Sequence, residues 1–95
     1  MDKLEKSVNI FKSLGDMTRL RIVEAIIEEE KSVNSIANEL QMSQSAISHQ
    51  LKNLKNNDLV RSKRRGKEVY YRLSDEHVKV MISQVFDHTS HKHDE

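Results

Sequence analysis

The sequence predicts a mainly α-helical domain with one small β-hairpin, built to pair with a second copy of itself. Three observations carry this expectation. Apolar residues recur at helical spacing through most of the 95 residues. Strict alternation is confined to one basic segment ending at Leu73. The last helical segment carries metal-ligand residues at both ends, too far apart to serve one ion within a single chain.

The first helix covers residues 3–13, with Leu4, Val8, Phe11 and Leu14 on one face, and ends near Gly15. Asp16 caps the second helix. Leu20, Val23 and Ile27 form its inner stripe, widened by Ile22 and Ile26. Glu28, Glu29 and Glu30 close it. Acid is unfavourable at a helix C-terminus, so this end reads as frayed and solvated. Ser32 to Leu40 is a short helix with Val33, Ile36, Ala37 and Leu40 facing inward, and Gln41-Met42 makes a tight connection. Ser43 caps the next helix, which runs from Gln44 to about Asn57 with Ile47, Leu51 and Leu54 as its buried ridge. Two helices joined by so short a turn form a helix-turn-helix.

The outer face of that second helix is informative. Gln44, Ser45, Ser48, His49 and Lys52 are small polar groups near the helix start with a cation behind them. Reading base edges needs short hydrogen-bonding side chains, and flanking phosphates need cations. An ordinary solvated face shares this composition, but the following segment favours DNA. From Leu59 to Leu73 one strand begins at Val60, and Val69, Tyr71 and Leu73 alternate on the other. Arg65-Gly66-Lys67 forms the turn. The result is a two-stranded wing on which Arg64, Arg65 and Lys67 would meet backbone phosphates or a minor groove.

The final helix begins after Ser74 as N-cap, with Asp75 and Glu76 in its first turn and Val78, Met81, Ile82 and Val85 as its apolar stripe. His77 and His88 lie on one side, with His91 one turn beyond. Eleven residues of helix rise about 16 Å, whereas metal donors sit about 2 Å from the ion. Asp75 and His77 therefore cannot share an ion with His88 and His91 of the same straight helix. An antiparallel second copy would create two equivalent sites, each with Asp75 and His77 from one chain and His88 and His91 from the other. Because i and i+2 diverge on a regular helix, Asp75 must sit in the capping turn and swing inward.

Composition limits the remaining classes. The length suits one domain over residues 1–95, with the two terminal helices free to dimerise. There is no cysteine, hence no disulfide, thiolate site or thiol switch. No segment approaches the roughly 20 apolar residues that span a membrane, so a soluble cytoplasmic chain is expected. The net charge of +1 conceals a strong asymmetry. Residues 52–72 hold eight Lys/Arg against two Asp/Glu, while the segments on either side are net acidic. Concentrated positive charge suits phosphate.

With these pieces placed, nearly the whole chain resembles the ArsR/SmtB family of bacterial metal-sensing repressors. The run Phe11-Lys-Ser-Leu-Gly-Asp-Met-Thr-Arg-Leu-Arg-Ile-Val is similar to the family's second-helix signature. Ser43-Gln-Ser-Ala-Ile-Ser-His-Gln-Leu-Lys-Asn-Leu is similar to its recognition helix, and Asp75-x-His77 with His88-x-x-His91 to the fifth-helix site of the zinc/cobalt-responsive CzrA-type branch. The resemblance implies a homodimeric winged helix-turn-helix repressor of a metal efflux or resistance operon, bound to an inverted-repeat operator and released by metal. The cysteines that form the family's other common site are absent here, which argues against arsenic, lead or cadmium sensing.

Three imidazoles and one carboxylate suit tetrahedral Zn2+ or Co2+. Six-coordinate Ni2+ would need two further donors, of which His93 could be one. Other readings of the same residues are a surface histidine tail, a catalytic zinc site, and a winged-helix regulator answering to a small molecule or a protein. Four protein donors without a partner base leave no open coordination position, so an enzyme is not expected.

Overall fold

The computed structural model describes residues 2–90. Five helices and three short strands follow in the order α1 (Lys3–Leu14), α2 (Met17–Ile26), β1 (Lys31–Ser32), α3 (Val33–Leu40), α4 (Gln44–Asn56), β2 (Val60–Arg65), β3 (Glu68–Leu73) and α5 (Glu76–Ser90). Local chemistry sets most of the boundaries. Asp2 and Glu5 form a reciprocal capping box at the head of α1, each side chain accepting from the other's backbone N–H. Asp16, Ser32 and Ser43 cap α2, α3 and α4 by accepting from Arg19, Ser35 and Ala46.

Both helices of the α3–α4 pair end in a left-handed residue that is not glycine. Gln41 has φ 58°, Met42 N–H reaches back to the Ala37 carbonyl at 3.0 Å, and Gln41 N–H donates to Asn38. Asp58 has φ 57°, with the same pair of bonds from Leu59 to Leu54 and from Asp58 to Lys55. These are Schellman closures. The second is locked because Leu54 and Leu59 are both fully buried. It turns the chain sharply from α4 into the wing.

The core is one cluster in which Ile22, Val23, Ile26, Ile36, Ile47, Leu51, Leu54 and Leu59 are essentially inaccessible. It corrects the expected stripe of α2. Ile22, Val23 and Ile26 are its deep residues, while Leu20 and Ile27 are only half-buried. The reason is tertiary. Leu20 points into an apolar groove shared with Phe11, Leu14, Met81 and Val85, so α2 is packed from two sides.

Two further corrections concern element ends, while α1 ends at Gly15 as the sequence predicts. The wing is part of a three-stranded sheet in the order β1-β3-β2, because Lys31 and Ser32 pair antiparallel with Tyr71 and Tyr70. A two-residue strand has no periodicity to betray it. Gly15 ends α1 at φ −79°, outside the left-handed region. The cap of α5 is Asp75 rather than Ser74, with Val78 N–H donating to Asp75 Oδ1 at 3.0 Å. Ser74 is drawn into the end of the sheet, where its N–H donates to the Leu59 carbonyl at 3.0 Å and its side chain is buried.

At the wing tip Gly66 has φ 62° and Lys67 does not share the positive φ, the pattern of a type II′ hairpin turn. A Cβ at Gly66 would meet nothing within 4 Å, so backbone strain is the only folded-state cost of adding one. Gly66→Ala is accordingly expected to destabilise by about 1 kcal/mol in urea unfolding. Unchanged stability would show that the turn relaxes to another geometry. No helix among the described residues is long and apolar enough to cross a membrane.

Candidate DNA-reading face and metal-ligand residues

Helix α4 separates two chemistries on opposite faces. Ile47, Leu51 and Leu54 are fully buried, while Gln44, Ser45, Ser48, His49 and Lys52 are all exposed. The back of the helix is also tied down by polar bonds. Arg19 Nη1 donates to Gln50 Oε1 at 2.8 Å, Arg19 Nε donates to the Ser13 carbonyl at 2.9 Å, and Ser13 Oγ donates to Asn53 Oδ1 at 2.6 Å. One flank of α4 is thus held against the α1–α2 corner while the outer face stays clear.

The wing stands beside this face. Lys55 Nζ donates to Ser62 Oγ at 2.7 Å, joining the second half of α4 to β2. Side chains alternate along a strand. Arg64 therefore lies on the Ser62 side, towards α4, and Arg65 on the other. Arg64 and Lys67 are exposed. Arg65 pairs with Glu30 and stacks over the Tyr70 ring, 5.0 Å from its centroid. Of the three expected cations, then, Arg65 is committed within the fold. Glu30 is its partner, so the end of the acidic run read as merely solvated has a structural role. A groove of about 190 Å³ separates the helix-turn-helix from the wing tip, with Asn34, Gln44 and Ser48 on one wall and Lys67 and Glu68 on the other. Asn34 and Glu68 were passed over in the sequence because neither belongs to the periodicity of α4 or to the cationic tip.

At the head of α5, Asp75 and His77 converge despite their i, i+2 spacing. As N-cap, Asp75 has non-helical backbone, and its Oδ1 lies 3.2 Å from His77 Nδ1. In a tetrahedral site with donors about 2.0–2.1 Å from the metal, neighbouring donors are about 3.3 Å apart. The pair therefore fits one edge of such a site. His77 is 87% exposed and both residues border a cleft of about 470 Å³ between α1, the end of α4 and the start of α5. His88 lies exposed near the other end of α5. His91 and the candidate extra donor His93 lie outside the described residues. Among the described residues no three His, Asp or Glu side chains gather as a metal site. One chain brings together Asp75 and His77 and leaves His88 apart.

The fold and this face have counterparts. Residues 16–62 match the family model described as "Bacterial regulatory protein, arsR family". The chain is 38% identical over 88 residues to the transcriptional repressor SmtB homolog of Synechocystis, an alignment covering 93% of this chain and 67% of that protein. It is 40% identical over 80 residues to the cadmium resistance regulatory protein CadC homolog of Staphylococcus aureus, covering 83% and 66%. This chain thus spans about two thirds of the length of these two relatives. The solution structure of the homodimeric winged helix-turn-helix DNA-binding domain of Mb0332 from Mycobacterium bovis superposes with a TM-score of 0.86 at 29% identity, covering 97% of this chain and 89% of that one. With the helix-turn-helix, the wing and the sequence relationship in agreement, the chain belongs to the arsR family of regulatory proteins and is a winged helix-turn-helix transcriptional regulator.

Proposed function

We propose that this chain is a metal-responsive repressor. As a homodimer it binds an inverted-repeat operator through α4 and the wing, and it releases that operator when zinc or cobalt(II) occupies sites shared between the two α5 helices. The observation that carries the reading is the Asp75–His77 pair, two donors 3.2 Å apart at the head of a helix that carries His88 near its far end. Asp75 and His77 of one protomer with His88 and His91 of the other would hold the ion, as oxygen and nitrogen donors suited to a tetrahedral divalent metal. Bound there, the ion would tie the two subunits in one relative orientation.

Dimerisation has its own support. Leu4, Val8 and Phe11 of α1 and Val80 and Val85 of α5 are exposed apolar side chains, and Phe11 and Val85 line a common groove. A single chain leaves this surface in water, and a second copy would cover it. A dimer on DNA must present its two α4 helices about 34 Å apart. If the orientation favoured by metal differs from the one DNA requires, operator affinity falls by linkage.

The test is operator binding, by fluorescence anisotropy on a duplex selected from a random pool, across zinc, cobalt and nickel. Zinc or cobalt is expected to weaken binding by about 5- to 150-fold, the usual range of allosteric coupling. Tight DNA binding that none of the three metals alters would remove the sensor and leave the regulator. A response to nickel alone would point to a larger ligand set that includes His93.

The wing makes a separate prediction. Replacing Arg64 and Lys67 by alanine removes two phosphate contacts per protomer, so the slope of log K against log salt should become shallower by about 2 per protomer. Arg65→Ala should change it less, because that guanidinium is already paired with Glu30. An unaltered slope for the double variant would take the wing out of the interface.

A further inference from the structure

Gln44 opens α4 and is exposed, yet its amide has a partner outside its own helix. Its Nε2 donates to Asn34 Oδ1 at 3.1 Å, and Asn34 stands in the first turn of α3 on the same wall of the groove facing the wing. A primary amide offers two N–H donors and one carbonyl acceptor. With one N–H given to Asn34, one N–H and Oε1 remain side by side. That single donor–acceptor pair matches N7 and N6 of adenine in the major groove. An untethered glutamine turns its terminal torsion at little cost, because that torsion is broad and roughly two-fold, and so exchanges donor for acceptor. Tethered to Asn34, the same flip breaks that bond unless the Asn34 amide turns with it.

We infer that Asn34 is a positioning residue for sequence discrimination, holding the Gln44 amide in its adenine-reading orientation without itself touching the base. The inference rests on the proposal that the outer face of α4 lies in the major groove. Its physical basis is pre-organisation. The amide is oriented before DNA arrives, so the correct base meets a ready fork, and the wrong base is accommodated only if both amides turn together.

The experiment is selection from a pool of duplexes with a randomised central segment, using wild type, Gln44→Ala, Asn34→Ala and Asn34→Asp. Affinities of the enriched duplex and its single-base variants are then measured for each protein. Gln44→Ala should flatten an adenine preference at one position of each half-site. Asn34→Ala should weaken that same preference, and no other, by about fivefold, the worth of one net hydrogen bond. Asn34→Asp keeps an acceptor for Gln44 Nε2. It should restore the preference while lowering affinity for every duplex through its added negative charge. In the Gln44→Ala background, Asn34→Ala should alter no base preference further. If Gln44→Ala flattens a position that Asn34→Ala leaves intact, the positioning role is wrong and Gln44 remains a base reader. Uniform weakening by Asn34→Ala, with no change in preference, makes Asn34 a backbone contact and overturns the inference. If Gln44→Ala changes no preference at all, the reading of α4 at that residue falls and the inference falls with it.

Discussion

With His88 replaced by alanine, operator binding should stay within about twofold of wild type, as for an exposed substitution outside α4 and the wing, while zinc should cease to weaken it. His88 is exposed near the end of α5, and the residues anchoring that helix in the core are Val78 and Ile82, two to three turns earlier. The substitution therefore leaves both anchors in place. The site would lose a nitrogen donor, which should cost metal affinity at least the 10–100-fold that follows removal of a mere outer-shell partner. Anisotropy titration of the operator complex with zinc measures both quantities. A variant that still releases operator at the wild-type zinc concentration would show that the sensor lies elsewhere. His49→Ala is the informative contrast, since it should weaken operator binding and leave the zinc response in place. Asp75 requires a gentler change. Asp75→Ala would remove the α5 cap as well as a ligand, at about 1 kcal/mol for the cap alone, whereas Asp75→Asn keeps an acceptor for the Val78 N–H.

The second large effect should follow Phe11→Glu. Phe11 is 69% exposed in the single chain, on the α1 face that carries Leu4 and Val8, and lines a groove with Val85. Full burial of such a ring is worth about 1.5–3 kcal/mol, and a two-fold interface contains it twice. The dimer should therefore weaken by about 3–6 kcal/mol, roughly 150-fold to more than 10⁴-fold in dissociation constant, before any cost of burying the new carboxylate. Sedimentation velocity across a concentration series reads this directly. The variant should remain folded, because Phe11 lies outside the buried cluster. Zinc sensitivity should be lost along with the dimer if each ion needs donors from both chains. A variant as dimeric as wild type would move the interface away from α1, and a monomer that binds zinc as tightly would undo the shared site.

Much of this was readable along the chain because the determining forces are local. Asp16, Ser32 and Ser43 cap their helices through side chains that reach only three residues ahead. The polar face of α4 and the cationic wing follow from spacing alone. The Asp75–His77 convergence was also foreseeable, since i, i+2 donors meet only if one of them leaves the helix. What escaped notice depends on partners distant in sequence. Lys31 and Ser32 become a strand only because β3 lies alongside. Ser74 yields the cap to Asp75 because the Leu59 carbonyl takes its N–H. Arg65 looks like its neighbour Arg64 in sequence and differs only in having Glu30 and Tyr70 beside it. Leu20 and Ile22 cannot be ranked from a helical wheel while both sides of α2 are covered.

By itself, then, the amino-acid order determined the succession of helices, the helix-turn-helix, the basic wing and the separation of Asp75 and His77 from His88 along α5. Periodicity, capping and helical rise act within a few residues and leave their mark in the text. The tertiary structure alone decided which of two adjacent arginines pairs with Glu30, which apolar side chains stay exposed, and that Asn34 holds Gln44. Those outcomes depend on which surfaces meet in space, and no spacing rule within a single element carries that information.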